Sequence, residues 1–189
     1  MSRFSVIYDA CVLYPAPLRD LLLELATAEL FQARWTDKIH EEWIESLLAD
    51  RPDLERGRLY RTRDLMNKAV MDSLVTGHEH LIAAITLPDP DDRHVVAAAI
   101  QAKADAIVTF NLTDFPANAL AAYNLEAIHP DDFIKYQLGL NPASVLAAAR
   151  ACRKRLQNPP ITVDAYLEKL RAQSLPKSVD DLYGYAAVI

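Results

Sequence analysis

The stretch LPDPDDRHVVAAAI (87–100) sets Asp89, Asp91 and Asp92 at the mouth of an apolar helical run. Acids there can do two kinds of chemistry. They can cap a helix by accepting bonds from its free N–H groups, or they can hold a hard divalent cation through oxygen. Position separates the two. At about 100° per residue, Val95, Val96, Ala99, Ile100 and Ala102 form one apolar stripe, with Asp92 near its middle and Asp91 at its edge. Arg93 and His94 point away from it. A carboxylate on a burying face is costly unless paired, protonated or bound to a metal. Capping does not require that orientation, so Asp92 calls for a partner.

Other acids stand at comparable places. Asp9 closes the apolar run FSVIY, Glu41 and Glu42 sit in DKIHEEWIESLLA, and Asn111 and Asp114 follow AIVTF in the segment NLTDFP. Oxygen donors without soft ones select Mg²⁺ or Mn²⁺ over zinc. Carboxylates gathered in one crevice repel, and some stay protonated unless a cation joins them. Helical phase does not separate Glu41 from Glu42, because both flank the Ile39, Trp43, Leu47 face.

The elements that must position these acids alternate. FSVIY, ARWT, AIVTF and LEAI have strand character, and HLIAAI (80–85) suits either a strand or a buried helical turn. Helical periodicity covers 17–32, 38–49, one or two helices over 52–74, and the run that follows Asp92. Such alternation gives a parallel sheet covered on both faces, with ligands at the carboxyl ends of its strands. From residue 139 onward strands cease and helical stretches take over. The expected fold is α/β, an α/β/α sandwich around a central, mostly parallel sheet over residues 1–138, with an all-α appendage over 139–189.

Composition excludes several classes. The chain has 189 residues, 51% of them hydrophobic, and a formal charge of −6, which argues against a general polyanion binder. The 4 glycines build neither a dinucleotide nor a nucleotide-triphosphate cradle, so no nucleotide cofactor is expected. No Gly-x-Ser-x-Gly elbow occurs. The 5 histidines form no His-x-x-x-His pair, and His78 and His80 read as surface or hydrogen-bonded residues. Cys11 and Cys152 read as small buried thiols of a reducing compartment. No secretory leader or membrane-length apolar stretch is evident, so a soluble cytoplasmic protein is expected.

VIYDACVLYP, WTDKIHEEWIESL and LPDPDDRHVVAAAIQAKADAIVTFNLTDFP, in that order, resemble the PIN-domain ribonucleases, and most closely the VapC-type toxins of bacterial toxin–antitoxin pairs. The resemblance spans about residues 3 to 135, and the helical tail is similar to one found in a subset of these proteins. It implies a PIN-like fold and a Mg²⁺- or Mn²⁺-dependent ribonuclease. Asp9, Asp92 and Asp114 would be acidic metal ligands, and Asn111 a neutral donor where many relatives carry an acid. The family pattern, apolar–x–x–Glu–apolar, picks Glu42 as the remaining acid. It also implies a homodimer and a small antitoxin partner.

An acidic nuclease must still hold RNA. Residues 51–68 carry six basic and three acidic side chains, and Arg56, Arg58, Arg61 and Arg63 are candidate phosphate contacts, against the alternative of a solvated helix with internal ion pairs. RACRKR (150–155) faces either RNA or solvent. Two other readings compete. One is an inactive PIN-like binding protein. The other is a Mg²⁺ phosphatase, which would want Asp-x-Asp where the chain reads Asp9-Ala10-Cys11.

Overall fold

A computed structural model describes residues 4–189. The elements run β1 (Ser5–Tyr8), α1 (Ala10–Leu13), α2 (Ala16–Thr27), β2 (Gln32–Arg34), α3 (Asp37–Asp50), α4 (Arg56–Ala69), α5 (Arg93–Ala102), β3 (Ala106–Val108), α6 (Ala117–Leu120) and β4 (Glu126–Ile128). The helices α7 (Pro130–Leu140), α8 (Pro142–Arg155), α9 (Val163–Arg171) and α10 (Pro176–Tyr183) follow. HLIAAI is not a strand but lies in 3₁₀ turns over Glu79–Ala84.

The chain folds as two compact units. One takes the residues up to Tyr14 and Phe31–His129; the other takes Pro15–Leu30 and Pro130–Ile189. The boundary expected after residue 138 lies within α7, and α2 belongs with the tail helices.

In the first unit the strands order β2-β1-β3-β4, and every pairing is parallel. Both central strands are buried throughout, as strands covered on both faces must be. Register carries the consequence for function. Tyr8 pairs with Val108, and the Asp9 N–H continues the ladder to the Val108 carbonyl at 3.1 Å. Asp9 and Thr109 therefore emerge side by side at the carboxyl end of the sheet. Helix α5 packs on β1 and β3 and is buried almost all round, from His94 through Ala99. The expectation that His94 points away from the buried face is thus corrected, since the 3₁₀ turns over Glu79–Ala84 also pack on α5, so the helix is covered by more than the sheet.

A chain of buried polar groups ties α3 to α4 and to the end of β2. Asn67 Oδ1 accepts from Trp35 Nε1 at 2.7 Å and lies 2.9 Å from His40 Nε2, while Trp43 Nε1 donates to His40 Nδ1 at 3.0 Å. That pattern fixes His40 as the Nε2–H tautomer, with both nitrogens occupied. Burial holds His40 below its ordinary value of 6.5.

In the second unit α2 packs on α8, α7 on α8 and α10, and α9 on α10. The buried Asp131 carboxylate accepts from the Lys177 and Ser178 N–H groups at 2.9 and 2.8 Å, capping the first turn of α10 from α7.

Substituting Asn67→Leu strips the partner from two buried donors and should destabilise the protein by about 2–4 kcal/mol in urea unfolding. Because His40 is held neutral, the stability it adds is present above pH 6.5 and lost as pH falls toward its depressed value. His40→Gln should flatten that part of the stability–pH curve, and an unchanged slope would rule the account out.

Candidate active site

At the carboxyl end of the sheet a cleft of about 360 Å³ is lined by Asp9, Glu42, Asp92 and Asn111, with Cys11, Tyr14, Trp43 and Ser46 among its walls. Asp9 is the fixed member. It is 5% exposed, and its Oδ1 accepts from the Ala10 N–H at 2.7 Å. Its Oδ2 accepts from the Thr109 hydroxyl at 2.7 Å and from the Cys11 thiol at 3.0 Å. Thr109 Oγ1 also receives the Asn111 N–H at 3.0 Å, so one hydroxyl ties the first acid to the loop that carries Asn111. A carboxylate has about four acceptor sites, which leaves Asp9 capacity toward the cleft.

The capping question has a divided answer. Asp89 is the cap, its side chain accepting from the Asp91 N–H at 2.8 Å. Asp92 opens α5 but makes no capping bond with its side chain. Its carboxyl is half-buried and pushed up to about 6, first by burial and then by the charges of Asp9, Asp89 and Asp114, with His94 opposing. Asp114 does not line the cleft, but its charge reaches Asp92.

Glu42 and Glu41 part company. Glu42 lines the cleft, with its Oε1 2.8 Å from Nε2 of His94, a ring that is 1% exposed. The contact lies off the hydrogen-bonding direction, and both ring nitrogens of His94 lack a hydrogen bond. Glu41 turns instead to α4, accepting from Tyr60 at 3.2 Å and meeting Arg63 at 3.6 Å.

The four arginines divide in the same way. Arg56 is paired with Glu45, and Arg63 with Asp64 and Glu41. Arg58 and Arg61 are exposed. Sequence reasoning missed Thr109 and His94, and it read Cys11 only as packing. His78, read as a surface or hydrogen-bonded residue, is not at the surface: it is 5% exposed, with Nδ1 3.8 Å from a Glu79 carboxylate oxygen.

Among the described residues no three His, Cys, Asp or Glu side chains converge into a ready-made metal cage. The donor set nonetheless fits a hard cation. Asp9, Glu42, Asp92 and Asn111 offer oxygen donors to the cleft, and the carboxyl of Asp92 is held up by burial and then by neighbouring negative charge, which a cation would offset.

Residues 5–113 match the family described as PIN domain. The chain belongs to the PIN-domain family. Residues 130–184 match a second family, described as VapC50 C-terminal domain, so the PIN domain is followed by helices with relatives of their own. A protein of Mycobacterium tuberculosis (strain ATCC 25618 / H37Rv) named "Putative ribonuclease VapC50" is 40% identical over 97 residues, 51% of this chain and 57% of that protein. The match thus takes in just over half of that relative's length. No solved structure matches the chain.

Burial of the Asp92 carboxyl, together with like-charge repulsion, makes a measurable demand on the PIN domain. A rise from 3.8 to about 6 would correspond to about 3 kcal/mol for a fully buried group, and solvent screening of the half-exposed Asp92 reduces that to about 1 kcal/mol. The folded state holds this proton more tightly than the unfolded chain, so stability declines as pH rises through that interval. In EDTA, Asp92→Asn should raise stability by about 1 kcal/mol at neutral pH, with the gain vanishing below pH 4 or so. A variant less stable than wild type at neutral pH would contradict the electrostatic reading.

Proposed function

We propose that this chain is a divalent-metal-dependent endoribonuclease, the toxin of a type II toxin–antitoxin pair acting in the cytoplasm. The observation that carries the reading is Asp92, released from capping by Asp89 and facing a cleft it shares with Asp9 and Glu42. Membership of a nuclease family, and a relative whose name is that of a ribonuclease, support it. No helix among the described residues is long and apolar enough to cross a membrane.

Asp9, Asp92 and Asp114, with Asn111 as a neutral donor, would hold Mg²⁺ or Mn²⁺, in keeping with the general use of divalent cations by PIN-domain nucleases. Bound there, such an ion lowers the pKa of water and neutralises charge on the scissile phosphate. Thr109 and Cys11 keep the Asp9 carboxylate in place. Glu42 orients the attacking water and takes its proton. In-line attack on phosphorus then breaks the bond to the 3′ oxygen, which takes a proton from solvent and leaves as a 3′-hydroxyl, and the other product carries a 5′-phosphate. Arg58 and Arg61, free of acidic partners among the described residues, contact the RNA backbone. A homodimer and a small antitoxin complete the assembly, with an antitoxin arginine suited to the acidic cleft. A partner-binding PIN domain without activity is the second reading, and it draws on Asn111 standing where many relatives carry an acid.

Wild type and Asp92→Asn, incubated with a mixed RNA pool in Mn²⁺ or Mg²⁺ and in EDTA, separate the two. Wild type should cut, EDTA should stop it, and the folded variant should lose more than about 100-fold of the rate. Equal cutting by both proteins would place the activity elsewhere, and silence of the metal-loaded wild type on every RNA would favour the binding reading. For the arginines, Arg58→Ala and Arg61→Ala should each weaken RNA binding and reduce the slope of log affinity against log salt by about 0.7. Arg56→Ala, already paired with Glu45, should leave that slope nearly unchanged.

A further inference from the structure

The second unit carries a groove of its own, enclosing about 580 Å³ along one face of α8. Its floor is Ala143, Leu146, Ala147, Ala151 and Val188, and its rim holds Arg150 and Lys154. Along the helix these lining residues recur at steps of three and four, so they form one strip roughly 17 Å long at 1.5 Å per residue. Val188 is 51% exposed, and Ala143 and Ala147 are exposed as well.

Among the described residues, the charges of RACRKR divide into those with partners and those without. Arg153 is spent on the Ile189 and Ile161 carbonyls at 3.0 Å each. Arg155 pairs with Asp20 at 2.9 Å and Glu24 at 2.6 Å. Arg150 and Lys154 have no acidic partner among the described residues, although the chain carries a net charge of −6. These two cations border the apolar floor.

We propose that this groove docks an acidic amphipathic helix of a different protein. Alanine methyls let a second helix approach to the 8–10 Å or so typical of close packing, and a stripe of i, i+3, i+4 anchors fits a floor of this length. Acids spaced i, i+4 along the incoming helix match Arg150 and Lys154, which share that spacing. A second copy of α8 is a poor occupant, because the helix carries basic residues and no acid. Antiparallel self-pairing would bring those cations to the partner's positive helix N-terminus. RNA is a poor occupant too, since the floor is aliphatic and offers no ring on which a base could stack. The proposal is independent of the acidic cleft and of the nuclease reading.

The test uses the intact chain and a fluorescein-labelled synthetic helical peptide of about 18 residues, with Leu and Ala on one face and flanking Glu pairs at i, i+4. Its controls are a scrambled peptide of the same composition and a single-stranded RNA. Fluorescence anisotropy should show binding in the range of about 10–100 μM, at least about tenfold weaker for the scrambled peptide. Two variants of exposed groove positions, Ala147→Tyr and the double change Arg150→Glu with Lys154→Glu, should each weaken it by about tenfold or more while melting stays unchanged. No binding up to about 1 mM, or binding indifferent to Ala147→Tyr, overturns the proposal. RNA bound through Arg150 and Lys154 with Ala147→Tyr harmless overturns it in favour of nucleic acid. Self-association lost in Ala147→Tyr, read by light scattering, overturns it in favour of a second copy.

Discussion

One hydrogen bond organises the acidic cleft. The Thr109 hydroxyl, at the end of β3, donates to Asp9 at the end of β1 across 2.7 Å, and that bond exists only because the two strands run parallel in the register that pairs Tyr8 with Val108. An antiparallel pairing would send the two residues to opposite ends of the sheet. A slip of one residue would turn each side chain to the other face. Thr109 lies wholly inside the protein, so its hydroxyl has no water to turn to and its orientation is fixed by Asp9 and the Asn111 N–H. The cleft inherits its rigidity from the sheet rather than from its loops.

Against that fixed acid the others are arranged in tension. Asp92 sits where its charge is opposed by three neighbours, and the helix that carries it cannot move away because α5 is packed on the central strands. Glu42 enters from α3, a separate helix held by the Trp35, His40, Trp43 and Asn67 chain. The protein thus stores unfavourable electrostatics in one place and spreads the offsetting packing over α3, α4 and α5, as functional sites commonly do.

What could be read from the sequence was whatever depends on local pattern. The parallel sheet follows from alternation, and the place of Asp92 at the mouth of α5 follows from the prolines and acids that precede an apolar run. Asp9 stands out because it ends an apolar run. What could not be read depends on who sits opposite. Glu41 and Glu42 are equivalent by phase, and they separate only because Tyr60 and Arg63 on α4 claim Glu41. Thr109 is one more β-favouring residue until the register places it beside Asp9. His94 reads as a polar side chain with a solvent face available, and the 3₁₀ turns over Glu79–Ala84, which pack on α5, add a cover that its own residues do not announce. Helix α2 was visible as a helix, but nothing in its own residues tells that its apolar side belongs with helices more than a hundred positions away.

That allegiance of α2 matters during synthesis. Its leucines, Leu18, Leu21, Leu22 and Leu25, are fully covered in the finished protein, and α8, on which it packs, begins only at Pro142. At the roughly 5–20 residues per second of a translating ribosome, the stripe waits on the order of ten seconds for its cover. The PIN-domain strands emerge in that interval and can assemble on their own side chains. The helical unit cannot close until α8, α9 and α10 have followed the PIN domain out of the ribosome.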